Sequence, residues 1–214
     1  MTRFRSLVLD VDSTLSGIEG IDWLASLRDD TVAWAISELT ERAMRGELTL
    51  DSIYSERLAL VRPTESEISV LGDEYVEAIA PGAEGAISDI KAAGVNVLLV
   101  SGGIREAILP LAARLEIPES NVHAVSVFFD AAGEYWGFDE MAPAAHQKGK
   151  RKIVELLALE RPIIAVGDGM TDAEMAPAVD SFVAFTGFVS RDRVVAAAQR
   201  SVATFHELKG LVLG

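Results

Sequence analysis

The chain contains no cysteine. Disulfides and thiolate zinc sites are therefore excluded, and stability has to come from a packed core. No apolar run approaches the roughly 20 residues that a membrane-spanning helix needs. Basic residues are the next shortage: 19 Lys and Arg stand against 33 Asp and Glu, a formal charge of −14. A surface of that sign repels nucleic acid, whose recognition needs clustered Lys and Arg on phosphate. It also repels small anions at long range, so a site for one must carry its own local positive charge. Met1 to Arg5 lead into the first apolar run without a signal-peptide pattern. These absences predict a soluble cytoplasmic protein with no membrane and no nucleic-acid partner; they leave monomer and homodimer both open.

What the chain does have is apolar residues, 50% of its 214 positions. That suffices for one large domain or for a domain with a sizeable insertion. Four apolar runs read as buried strands, at 4–11, 96–100, 162–166 and 181–185. Their alternation with helical patterns predicts an α/β fold with a Rossmann-like parallel sheet. Residues 16–81 show no good strand pattern. Asp29 or Asp30, Thr49 and Thr64 are candidate caps of three helices there, Thr64 with Glu67 in a capping-box pattern. Gly46 is predicted to end the first of these helices, and Pro81-Gly82 the last. The predicted organisation is a core of residues 1–15 and 82–214 with a small helical cap, 16–81, inserted after the first strand. A hairpin is predicted across 124–138, turning near Gly133.

The first three strands each run into a polar residue: Asp10 with Asp12, Ser101, and Asp168. In open parallel sheets, ligands bind beyond the carboxyl ends of the strands. Asp10-Val11-Asp12-Ser13-Thr14 places two carboxylates two residues apart on an extended chain, so they point in different directions. Asp10 is the candidate nucleophile, forming an aspartyl-phosphate. Asp12 is the candidate general acid and base. Gly167-Asp168-Gly169-Met170-Thr171-Asp172 adds two carboxylates that suit a hard cation such as Mg²⁺, Asp168 directly and Asp172 by orienting a ligand. Ser101-Gly102-Gly103 offers a hydroxyl and exposed amides for an anion at a helix start. The one dense basic run, Gln147-Lys148-Gly149-Lys150-Arg151-Lys152, supplies a lysine, and spacing leaves Lys148 and Lys150 both open. His123, His146 and His206 are scattered and read as structural or surface residues. Trp23, Trp34 and Trp136 read as packing residues.

These four motifs, in this order, resemble the haloacid-dehalogenase superfamily of phosphatases. Five further segments are similar to the phosphoserine phosphatase family within it. They are Glu19-Gly20-Ile21-Asp22, Met44-Arg45-Gly46, Glu56-Arg57-Leu58-Ala59-Leu60, Gly137-Phe138-Asp139 and Lys148-Gly149-Lys150. The resemblance implies a Mg²⁺-dependent phosphatase acting on a small phosphorylated amino acid, L-phosphoserine. It implies Mg²⁺ on Asp10, the Asp12 carbonyl and Asp168, and a phosphate grip from Ser101, the Gly102 amide and Lys148, with Gly103 beside them. In the cap it implies Glu19 for the substrate ammonium and Arg57 for its carboxylate. Met44 and Leu50 match pocket-lining positions, the latter where many relatives carry an aromatic. Thr171, Thr186 and Arg191 match positions near the substrate. Two rivals remain at this stage. One is another phosphomonoester, or phosphoryl transfer to an alcohol such as homoserine. The other is a non-catalytic binding protein, which would normally have lost Asp10, Asp12 or Asp168.

Overall fold

Ser6–Leu9 form the first strand, β1, and all four residues are buried. A computed structural model describes residues 4–45 and 47–214; the side chains of Met44, Leu50, Asp51 and Ser52 lie outside the described set. Helices α1 (Gly20–Ser26), α2 (Asp30–Met44), α3 (Leu50–Val61) and α4 (Glu65–Glu77) follow β1. Then come α5 (Ala83–Ala92), β2 (Asn96–Ile104), α6 (Arg105–Arg114), β3 (Val122–Val125), β4 (Val127–Phe129) and β5 (Tyr135–Phe138). The chain closes with α7 (Gly149–Leu156), β6 (Ile163–Gly167), α8 (Met170–Ala173), β7 (Ser181–Phe185), α9 (Asp192–Ala197), β8 (Arg200–Val202) and α10 (Phe205–Leu213).

Among the described residues, six strands form one parallel sheet in the order β3-β2-β1-β6-β7-β8. Strands buried on both faces need continuous apolar sequence. Leu7, Val8, Leu9 and Ile164, Ala165, Val166 supply it with no exposure at all. Each Leu, Val or Ile removed from water this way contributes about 1.5–3 kcal/mol. From β1 the chain first builds outward through β2 and β3, then crosses back to β6 on the other side of β1. The switch point therefore lies between β1 and β6, where such sheets open a crevice. Leu9 stands level with Leu99 on one neighbour and Val166 on the other. That register brings Asp10, Ser101 and Asp168 out at nearly the same height.

Helices α1 to α4 fill the predicted insertion. Asp29 caps α2, accepting from the Thr31 and Val32 amides. Thr64 and Glu67 close their capping box on α4. The expected stop of α2 at Gly46 lies outside the described residues; α2 ends at Met44. Leu24, Ile36, Tyr54, Leu58, Leu71 and Tyr75 share one buried cluster with the sheet residues, so the insertion is packed on the core. The β4–β5 hairpin leans on the same helices. Tyr54 and Phe138 rings meet at 5.3 Å, and the Glu65 amide donates to the Gly133 carbonyl at 2.9 Å.

The structure departs from the sequence reading in five places. α1 is a fourth helix in the insertion, where three were expected. β2 continues through Ser101, Gly102 and Gly103 to Ile104, with an irregular register against β3 beyond Val100. The hairpin starts at Val127, because Val122–Val125 pairs with β2 as an edge strand of the sheet. The short edge strand β8 carries too little apolar sequence to be seen. Trp34 and Trp136 are 71% and 79% exposed and pack little, whereas Trp23 does lie against the core. Among the described residues, no helix is long and apolar enough to cross a membrane.

Candidate active site

Asp10 leaves β1 buried, its amide donating to the Val166 carbonyl of β6 at 3.0 Å. Lys150, in the first turn of α7, is buried beside it. Its ammonium donates to Asp10 Oδ1 and Asp172 Oδ1, both at 2.6 Å. Asp172 is positioned by the turn after β6, where its Oδ2 accepts from the Gly169 amide at 3.0 Å. This close approach requires Gly167, since a Cβ there would lie 2.2 Å from Asp172 Cγ. Asp168 accepts from Thr14 Oγ1 at 3.2 Å and from the Arg191 guanidinium. Arg191 also reaches Glu41 of α2 at 3.4 Å. Carboxylate oxygens of Asp10, Asp168 and Asp172 all fall within 4.8 Å of one another.

Three buried carboxylates against two buried cations leave this centre one charge short of neutrality. A group of hard oxygen ligands with an excess negative charge fits a divalent cation such as Mg²⁺. The same crowding shows in the titration of Asp10. Burial and then the Asp172 charge push it up to about 7, despite Lys150. Burial and the Asp10 charge push Asp12 up to about 7 as well. Burial alone would lower Lys150, but Asp10 and Asp172 hold its ammonium above the ordinary lysine value.

The helical insertion supplies the other half of the site. Asp12 turns toward it, accepting from the Gly20 amide at 3.4 Å and from the Tyr75 hydroxyl. Burial and the Asp12 charge raise the Tyr75 phenol well above its usual value, so it stays a donor. Glu19 sits at the N-cap of α1, where Ser13 Oγ donates to it at 2.7 Å. Burial and the nearby Asp12 push Glu19 up to about 8. Arg57 is buried on α3 and donates to Asp22 Oδ2 at 3.0 Å. Thr40 donates to the same oxygen at 2.6 Å. Arg57 Nε has no partner among the described residues, and Arg57 is one of the residues that line the cavity. Asp10, Asp12, Glu19, Ile21, Ala43, Arg57, Ser101, Gly102, Lys150 and Thr171 line one cavity of about 40 Å³.

The haloacid dehalogenase-like hydrolase family matches residues 4–180. The chain belongs to the haloacid dehalogenase-like hydrolases. Among members of this family, the phosphoserine phosphatase of Homo sapiens is 39% identical over 208 residues, covering 96% of this chain and 92% of that protein. The phosphoserine phosphatase of Drosophila melanogaster is 35% identical over 205 residues, covering 94% and 75%. A solved phosphoserine phosphohydrolase-like protein from Francisella tularensis superposes with a TM-score of 0.90 at 24% identity, covering 98% and 100%. At that identity the likeness speaks for the fold. In this chain Asp10 and Asp168 directly follow β1 and β6, and Ser101 lies in the last part of β2 beside them.

Placement of the remaining residues corrects several expectations. Lys148 is exposed, at the N-cap of α7 with φ +58°, and it is Lys150 that enters the site. The helical register explains this. Lys150 lies three and four residues before the buried Ile153 and Val154 and shares their face. Gly102 lines the cavity, but the Gly103 amide is taken by Ser101 Oγ at 2.9 Å. β2 runs through this segment and α6 begins only at Arg105, so these residues stand in the irregular last part of a strand and not at a helix start. Arg191 reaches the centre through Asp168 and does not line the cavity. Thr186, the residue after β7, donates to the Val202 carbonyl at 3.3 Å and does not line the cavity. The side chains of Met44 and Leu50 lie outside the described residues. Sequence reasoning missed Asp22, Thr40 and Tyr75 as site residues. Asp22 stood inside a motif already singled out; Tyr75 lies on the buried face of α4 with Ile68 and Leu71, a pattern that shows packing and not a hydroxyl contact.

Proposed function

We propose that this haloacid dehalogenase-like hydrolase is a phosphoserine phosphatase, releasing serine and inorganic phosphate from L-phosphoserine. The observation that carries the reading is the pairing of chemistries across one cavity. A nucleophilic carboxylate with a lysine stands at one end, and a buried guanidinium with a carboxylate at the other. Phosphoserine presents a phosphate, a carboxylate and an ammonium. Asp10 and Lys150 meet the first, Arg57 takes the second bidentately, and Glu19 pairs the third. The full-length likeness to phosphoserine phosphatases supports the same substrate.

Asp10 attacks phosphorus in line. Its bond to phosphorus forms as the bond to the seryl oxygen breaks, and Asp12 gives its proton to that oxygen. Asp12 then takes a proton from water as the water attacks the aspartyl-phosphate, which frees Asp10 and phosphate. Lys150 and the Gly102 amide stabilise charge on the transferred group throughout. Asp10, Asp168 and the Asp12 backbone carbonyl would hold Mg²⁺, with Asp172 orienting them. When bound, the ion supplies positive charge that screens the incoming phosphate from these carboxylates. Residues 16–81 act as the cap. Its residues Glu19, Ile21, Ala43 and Arg57 line the cavity opposite Asp10, Ser101 and Lys150 of the core.

The test is phosphate release from a panel of phosphorylated metabolites with Mg²⁺, with and without an added alcohol acceptor. L-Phosphoserine should exceed phosphothreonine and sugar phosphates, and water should be the acceptor. Equal rates across the panel, or phosphate moved onto the alcohol, would count against the reading. A second expectation concerns Arg57→Ala. Removing one partner of a buried charge pair costs about 2–5 kcal/mol of binding, roughly 30- to 4,000-fold. That loss should fall on kcat/KM for phosphoserine and spare a simple aryl phosphate, which has no carboxylate to hold. Asp22 keeps Thr40 as a partner, so the variant should fold. Equal losses on both substrates would mean that Arg57 does not read the carboxylate.

A further inference from the structure

Tyr75 is a core residue with a polar end in the wrong place for packing alone. It lies on α4 with no exposed surface, and its hydroxyl emerges at Asp12 Oδ1. Space for that hydroxyl exists because residue 20 is glycine: a Cβ there would fall 2.1 Å from the Tyr75 oxygen. The Gly20 amide then donates to the same Asp12 oxygen at 3.4 Å. Tyr75 is itself held from the core side. Ser16 Oγ donates to its backbone carbonyl at 3.2 Å. One turn earlier, Gly72 packs so closely on α6 that a Cβ would meet Pro110 at 2.9 Å. The other Asp12 oxygen faces elsewhere. A Cβ at Gly103 would lie 3.1 Å from Asp12 Oδ2 and 3.2 Å from Ser101 Oγ, so Oδ2 looks onto the turn that grips phosphate.

We propose that Tyr75 is the positioning residue of the acid–base carboxylate: its hydroxyl occupies Asp12 Oδ1 and leaves Oδ2 to carry the transferable proton. This rests on the phosphatase reading of Asp12 given above. With Oδ1 accepting from two donors, the acid proton resides on Oδ2, next to the phosphoryl site. It passes to the seryl oxygen as the P–O bond breaks, and Oδ2 takes it back from water in the second step. Phenylalanine at position 75 would fill the same core volume, so only the hydroxyl serves this purpose. Gly20 and Tyr75 then form one device, a missing side chain and a hydroxyl that enters the gap.

The experiment compares Tyr75→Phe with Asp12→Asn on two substrates. Phosphoserine expels an alkoxide and needs a proton, whereas an aryl phosphate expels a stable phenolate and needs little help. The quantity to follow is kcat/KM, which covers steps through departure of the leaving group. Tyr75→Phe should lose about tenfold or more on phosphoserine, a part of the roughly 10²–10⁴-fold that general acid–base catalysis supplies. On the aryl phosphate it should lose less than about threefold, because the acid is not required there. Asp12→Asn should show the same selectivity, and larger. Gly20→Ala, which pushes the phenol away, should reproduce the Tyr75→Phe pattern. Selective loss in Asp12→Asn with none in Tyr75→Phe overturns the role of Tyr75. Equal losses on both substrates in Tyr75→Phe overturn it too, since that is the mark of packing. If Asp12→Asn is itself unselective, the acid–base reading beneath the proposal fails first.

Discussion

Asp10→Asn should abolish phosphoserine hydrolysis while leaving a folded protein. The amide matches the carboxylate in shape, but it cannot form an acyl phosphate that water then cleaves. Loss of an enzyme nucleophile costs on the order of 10⁵-fold or more in kcat. Folding should not suffer, because the site is over-supplied with negative charge. Asp10 stands at about 7, raised by burial and by Asp172. A carboxyl whose folded value is raised favours the folded state below its unfolded value, near 3.8, and that advantage is lost as pH climbs toward 7. In metal-free protein the variant should therefore melt no lower than the parent at pH 8, and the difference should shrink toward pH 4. Lys150 keeps Asp172, so its ammonium is not stranded. Phosphate release with Mg²⁺ and a melting series across pH check both halves. Turnover near the parent's would end the aspartyl-phosphate mechanism.

The strand-end part of the site was readable because of how parallel sheets are built. Strands buried on both faces stay apolar until the crevice, so Asp10, Ser101 and Asp168 stand out as the first polar residues after them. Register then did the rest, setting Leu9 level with Leu99 and Val166. What escaped was information carried by contact rather than by pattern. Ala124 and Val125 continue smoothly into the hairpin arm, and nothing in their own residues says that β2 is the neighbour of Val122–Val125. Tyr75 sits in helical period with Ile68 and Leu71, so its ring was visible and its hydroxyl bond was not. Asp22 stood in the Glu19–Asp22 motif without a role of its own until Arg57 and Thr40 met it from two other helices. Glu19 and Arg57 themselves were legible only through resemblance, since each alone is an ordinary charge on an amphipathic helix.

Lys150→Ala and Lys148→Gly should separate by about two orders of magnitude or more, with Lys150→Ala the damaged variant. The resemblance favoured Lys148, yet the geometry assigns the task to its neighbour two residues on. The Lys150 ammonium contacts the nucleophile and Asp172 at 2.6 Å with both partners buried. Removing it withdraws a fixed positive charge from the transferred phosphoryl group, a loss of about 10²–10³-fold in kcat for one such donor. It also leaves buried carboxylates uncompensated, which costs about 3–5 kcal/mol when one partner of a buried pair is deleted. Assays at saturating Mg²⁺ separate the two effects, since a bound cation restores charge balance without restoring the lysine. Melting under the same conditions shows how much of the loss is folding. Lys148 offers a clean control because its backbone is left-handed, φ +58°. Glycine adopts that conformation without strain, so Lys148→Gly deletes the side chain and spares the backbone. The amide of residue 148 still donates to Glu174, and α7 keeps its start. Activity within about twofold of the parent is expected, as for an exposed side chain outside the cavity. A reversal, with Lys148→Gly inactive and Lys150→Ala active, would return the phosphate-gripping role to Lys148 and require α7 to turn its other face to Asp10 during turnover.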